Sequence, residues 1–87
     1  MAYNITFSPD AWADYLYWQT EDKKTLKRIN RLLQELQRDG VAQGLGKSEI
    51  LRRVKGMSRR IDEKNRLVYT IEREGLIILS CRGHYED

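Results

Sequence analysis

Leu76-Ile77-Ile78-Leu79 is an unbroken run of branched aliphatic residues near the C-terminal end of the chain. A strand that carries no polar residue on either face needs cover on both, so this run predicts a central strand in a sheet. Its neighbours in sequence supply the partners. Residues 66–72 read as a second strand, joined to the first by the turn Arg73-Glu74-Gly75. Residues 58–62 read as a third, with Asp62-Glu63-Lys64-Asn65 as the intervening turn, because short polar clusters between apolar runs reverse the chain. The last strand is expected over 76–82, and a weak strand over 51–55.

The N-terminal half follows a different period. Tyr3, Ile5 and Phe7 alternate with Asn4 and Thr6, which predicts a short strand with one apolar face. Ser8-Pro9-Asp10 then carries a helix start: a capping hydroxyl, a proline for the first turn and a carboxylate at the positive end of the dipole. A helix is expected from Pro9 to Gln19, with Trp12, Tyr15 and Leu16 toward the core. Thr20-Glu21-Asp22 looks like a second start after a tight corner, and Leu26, Ile29, Leu32, Leu33 and Leu36 recur at helical spacing. Lys23, Lys27, Arg31 and Arg38 form a separate basic stripe. Asp39-Gly40 is expected to end this helix, leaving 40–48 as a glycine-containing loop. Gly46-Lys47-Ser48 has the ending of a phosphate-binding P-loop, but Val41 stands where its first glycine is required.

The expected class is therefore α+β: a short N-terminal strand, two antiparallel helices, then an antiparallel β-meander. At 87 residues the whole chain, 1–87, is expected to form a single domain. No apolar run approaches the roughly 18 residues of a membrane span. Met1-Ala2-Tyr3-Asn4 lacks the charged start and apolar stretch of a secretory signal, so the cytoplasm is the expected compartment. Cys81 is the one cysteine and His84 the one histidine; with the carboxylates scattered, neither a metal site nor a cofactor is expected. Cys81, inside an apolar strand, reads as buried filler.

Sixteen Lys and Arg against 13 Asp and Glu leave a net charge of only +3. The placement says more than the sum. Lys47, Arg52, Arg53, Lys55, Arg59, Arg60, Lys64, Arg66, Arg73 and Arg82 crowd the second half. A face lined by several of them would hold RNA phosphates, although a solvated surface accounts for them as well. Metal-free RNA cleavage needs a base for the 2′-hydroxyl, an acid for the leaving 5′-oxygen and a cation on the phosphate. Glu49, His84 and Arg66 are of the required types, but spacing alone does not single them out.

Several segments sharpen this. Asp10-Ala11-Trp12-Ala13-Asp14-Tyr15-Leu16-Tyr17-Trp18 resembles the N-terminal helix signature of the Txe/YoeB toxins, within the wider RelE-like fold. Asp22-Lys23-Lys24-Thr25-Leu26-Lys27-Arg28-Ile29-Asn30 is similar to their second helix. Gly44-Leu45-Gly46-Lys47-Ser48-Glu49 is similar to their glycine-lysine-proline-glutamate loop. Ser58-Arg59-Arg60-Ile61-Asp62, Asn65-Arg66-Leu67-Val68-Tyr69 and the final His84-Tyr85 match in order.

The resemblance implies a toxin that cleaves mRNA in the ribosomal A site and stops translation. It implies a cognate antitoxin, contact with operon DNA only through the antitoxin complex, and a homodimer. By motif, Glu49 corresponds to the general base, Arg66 to the phosphate-stabilising residue, His84 to the general acid and Tyr85 to a residue orienting the substrate. Lys47, Arg52, Arg59 and Arg60 are the expected RNA contacts. The same fold also hosts gyrase-directed toxins of the ParE type, and a catalytically weak relative would be left with antitoxin or rRNA binding. This chain departs from the pattern in having Ser48 and Ile50 where prolines usually flank the glutamate, and Glu86-Asp87 after the terminal His-Tyr.

Overall fold

The protein is described by a computed structural model covering residues 3–44, 49–51, 56–73 and 75–83, the side chains of 39–44 and of Glu49 excepted. Its elements are β1 (Asn4–Phe7), α1 (Pro9–Glu21), α2 (Lys23–Gly44), β2 (Glu49–Ile50), β3 (Met57–Arg60), β4 (Arg66–Glu72) and β5 (Gly75–Ser80). They form one five-stranded sheet in the order β1-β5-β4-β3-β2. Strands β2 to β5 make the expected antiparallel meander, and β1 runs parallel to β5, pairing Asn4 with Gly75 and Phe7 with Ile78.

The chain leaves β1 through Ser8, whose N–H donates to the Ile78 carbonyl at 2.9 Å. The Ser8 hydroxyl caps α1 by accepting from Ala11 N–H at 3.1 Å and donates to the Leu79 carbonyl at 3.0 Å. One residue thus ends a strand, starts a helix and ties both to β5. Asp22 plays a similar double part at the corner. Its N–H donates to the Trp18 carbonyl, closing α1, while its carboxylate accepts from Lys24 N–H, Thr25 N–H and the Thr25 hydroxyl, opening α2.

The core lies between the helical pair and one face of the sheet. Ile29, Leu32, Leu33 and Leu36 of α2 pack there with Leu67 and Tyr69 of β4 and Leu76 and Ile78 of β5. From α1 the buried residues are Ala11 and Trp18, with Tyr15 half-buried between them. Of the expected inward face of α1, Tyr15 packs against the core, but Trp12 and Leu16 do not. Trp12 and Leu16 are 48% and 43% exposed. The stripe Ala11-Tyr15-Trp18 faces inward because small Ala11 permits close approach to the sheet, and because the Trp18 indole reaches the carbonyl of Cys81 at 2.8 Å.

Helix α2 also runs past its predicted end at Asp39-Gly40, as far as Gly44, so the expected loop over 40–48 is shortened from its N-terminal side. A glycine inside a helix costs only about 1 kcal/mol, which a strongly packed helix upstream tolerates. Strand β5 is covered less fully than its composition implied: Leu76 and Ile78 are buried, whereas Ile77 and Leu79 are half-buried. The helices cover one face only. Strand β4 has the predicted limits, β5 stops at Ser80 rather than at residue 82, and β3 stops at Arg60 rather than at residue 62. A short strand, β2, lies just upstream of the weak strand expected over 51–55, of which residues 52–55 lie outside the described residues.

Candidate active site on the sheet face away from the helices

Residues directly opposite one another in paired strands share a face, and alternate residues switch. Arg59 pairs with Leu67 and Met57 with Tyr69, so this set looks toward the helices. Glu49 pairs with Ser58, Ser58 with Val68, and Arg60 with Arg66. These positions share the face turned away from the helices. Glu49 stands two strand spacings, about 10 Å, from the Val68 position, and Arg66 precedes Val68 by two residues on the same face.

Arg66 opens β4 beside a tightly bonded turn. The Asp62 carboxylate accepts from Lys64 N–H and Asn65 N–H, each at 2.8 Å, and from the Asn65 side-chain amide at 3.1 Å. Burial pushes the Asp62 carboxyl up, but the bonds from Asn65 and Lys64 outweigh it and hold the group below its ordinary value. Arg66 Nη1 donates back to the Asp62 carbonyl and, at 3.1 Å, to that of Asn65. Those two bonds occupy Nη1. Among the described residues, the donors on Nη2 and Nε stay available to a phosphate.

The Arg66 main-chain N–H donates to the Gly83 carbonyl at 2.9 Å. The residue preceding His84 is therefore bonded to the first residue of β4. His84 and Tyr85 themselves lie outside the described residues, as do Lys47 and Arg52.

The two remaining predicted RNA contacts part company. Arg60 is exposed at the edge of the face turned away from the helices, with Glu63 3.9 Å from its guanidinium. Arg59 is buried and donates to Glu35 of α2 at 2.7 Å. Its position opposite Leu67 turns it into the helical layer, away from any ligand on the other face. Lys23, Lys27 and Arg31 are exposed along α2.

Cys81 is fully buried, and its thiol is pushed up to about 12, first by burial and then by the Asp14 carboxylate. A thiol so raised is no nucleophile near neutrality. Among the described residues, no group of three metal-ligating side chains converges. No helix among them is long and apolar enough to cross a membrane. The sequence places Asn65 in the turn but assigns its side chain no role; the spacing Asp62-x-x-Asn65, which favours a side-chain-bonded turn, is the available signal.

A strand-helix-helix start, an antiparallel meander and the return of β1 alongside β5 together define a RelE-like toxin fold. The YoeB dimer from Staphylococcus aureus superposes with a TM-score of 0.84 at 47% identity, over 98% of this chain and all of that one. The S. aureus complex of YoeB with YefM matches at a TM-score of 0.81 and 45% identity, covering 98% of this chain and 100% of that one. In sequence, Toxin YoeB of Synechocystis sp. is 49% identical over 84 residues, which is 94% of this chain and 96% of the relative. Residues 7–85 match the profile of the YoeB-like toxin of bacterial type II toxin–antitoxin systems, and the chain belongs to that family.

Proposed function

We propose that this toxin is a ribosome-dependent mRNA endonuclease that needs no metal. Glu49 takes the proton of a 2′-hydroxyl, and the freed oxygen attacks the adjacent phosphorus in line. The new O2′–P bond forms as the P–O5′ bond breaks. His84 gives its proton to the departing 5′-oxygen, so the products are a 2′,3′-cyclic phosphate and a free 5′-hydroxyl. Arg66 stabilises the charge that builds on the non-bridging oxygens, for which its planar fork is suited. Tyr85 orients the scissile link, and Lys47, Arg52 and Arg60 contact the RNA backbone. Arg59, paired with Glu35, is not among them.

The observation that carries this reading is the bond between Arg66 N–H and the Gly83 carbonyl, made by the residue whose position shares a sheet face with that of Glu49. It ties the chain that leads to His84 to the arginine strand. The sequence match to the family's loop, strand and terminal motifs supports the three roles. The S. aureus YoeB–YefM complex and YoeB dimer support a cognate antitoxin and self-association for this chain also. Operon DNA would then be met through the antitoxin complex, and the work would be cytoplasmic.

Primer extension on a reporter mRNA, from cells expressing the chain, tests the proposal. Ends that fall within codons and vanish when the start codon is removed are expected. Arg66→Ala and His84→Gln should abolish them, with Arg66→Ala slowing cleavage by roughly a hundredfold or more. Intact mRNA under the wild-type chain, above all with DNA damage in its place, overturns it.

A further inference from the structure

Beyond Ser80 the sheet ladder ends, and the next three residues are held mainly by side chains from elsewhere in the molecule. Cys81 N–H donates to Asp14 Oδ2 at 3.0 Å, and the Cys81 carbonyl accepts from Trp18 Nε1 at 2.8 Å. The Arg82 guanidinium lies 3.6 Å from the centre of the Tyr17 ring. Gly83 N–H donates to Asn65 Oδ1 at 2.8 Å, while its carbonyl accepts from Arg66 N–H. Helix α1 grips one end of this stretch and the Asp62–Asn65 turn grips the other.

The structure assigns Asp14 and Asn65 as positioning residues for the proposed acid: they hold residues 81–83, the stretch that leads into His84, beside the Arg66 end of β4. This inference rests on the function proposed above. Asn65 suits the task chemically. Its Nδ2 donates to both oxygens of the Asp62 carboxylate, which fixes the amide so that Oδ1 faces Gly83. An aspartate in its place would set two carboxylates against each other and lose that orientation. Asp14 accepts a main-chain N–H in the buried surroundings of Cys81, where a charge-assisted bond is stronger than in water. Gly83 turns the chain with φ +90°, a conformation rarely adopted by other residues, between its two bonds to Asn65 and Arg66. The consequence is kinetic. An acid displaced by an ångström from its leaving oxygen loses much of its advantage even when substrate still binds.

The test compares wild type with Asp14→Ala, Asp14→Asn, Asn65→Ala and Asn65→Asp in the full chain. Single-turnover cleavage on saturating ribosomes, ribosome affinity, thermal midpoint and hydrogen exchange at the Gly83 amide are measured together. Asn65→Ala and Asp14→Ala should slow cleavage tenfold to a hundredfold or so with ribosome affinity unchanged, and Asn65→Ala should speed exchange at Gly83. Asp14→Asn, which keeps an acceptor, should restore most of the rate, and Asn65→Asp should not. Wild-type cleavage rates in both alanine variants overturn the inference, as does a loss that merely follows the fraction unfolded or the ribosome affinity. A wild-type chain that leaves mRNA intact would instead overturn the proposed function itself, whatever Gly83 does.

Discussion

Arg59 Nη2 donates to Glu35 Oε1 at 2.7 Å, joining the middle of β3 to α2. The arginine side chain is 6% exposed and the glutamate 26%. The two residues are not equivalent, because the arginine is much the more deeply buried and costs more to leave unpaired. Glu35→Ala leaves a buried guanidinium and should lower the urea-unfolding free energy by about 3 kcal/mol. Arg59→Met removes the charge, keeps much of the volume and leaves behind the more exposed partner; its effect should be smaller, about 1 kcal/mol. Equal losses would contradict the burial asymmetry.

Gly75 and Gly83 both have positive φ, +137° and +90°, but their surroundings differ. A Cβ on Gly75 would lie 2.5 Å from the Asn4 carbonyl oxygen, inside the β1–β5 pairing, whereas one on Gly83 meets no described atom within 4 Å. Gly75→Ala should therefore combine a clash with strain and destabilise by about 3 kcal/mol or more. Gly83→Ala should show strain alone, about 1–2 kcal/mol. Chemical denaturation of both variants checks the order.

Asp62 is held below its ordinary carboxylate range in the folded protein. A depressed carboxyl contributes stability that is present above its unfolded value, about 3.9, and that is lost as pH falls through the lower folded value. Unfolding free energy should thus decline as pH drops below about 4, with the 61–65 turn loosening. Asp62→Asn should flatten that part of the profile. Asp22, lowered chiefly by its bond from the Thr25 side chain, acts in the same direction. A profile of unchanged steepness in Asp62→Asn would exclude this account of the turn.

The Cys81 thiol, pushed up to about 12, should be almost inert to thiolate-specific reagents in the folded protein. At pH 8 its thiolate fraction would be roughly a thousandfold below that of an ordinary cysteine. Alkylation should become fast only on adding denaturant, and its rate should track global unfolding. Rapid labelling of the native protein would refute the burial of this thiol.

Local chemistry was legible in the sequence. Ser8-Pro9-Asp10 starts α1, Asp22 separates α1 from α2, and the polar clusters around 62–65 and 73–75 end the strands they flank. Each of these depends on groups a few residues apart, which a linear reading can see. The end of α2 was misread because glycine stops a helix only where the chain needs a left-handed turn, and packing elsewhere decides that. The orientation of α1 is only partly legible, Tyr15 but not Trp12 or Leu16, because aromatic residues occur all around it: Trp12 and Trp18 are equally apolar, but Trp18 is the one bonded to Cys81.

For the candidate site the division is similar. Motif placed Glu49, Arg66 and His84 among the candidates, whereas the strand register put Arg59 and Arg60, both expected RNA contacts, on opposite faces. What the sequence determined by itself was the kind and order of its elements, since helix caps, turns and periodicities act over neighbouring residues. Only the tertiary structure decided that Arg59 is spent on Glu35, that Arg66 binds Gly83, and that Asp14 and Asn65 grip the end of the chain. Those bonds join groups 17 to 67 positions apart. Such pairs meet only once the sheet has set its strand order, and no local signal along the chain encodes that meeting.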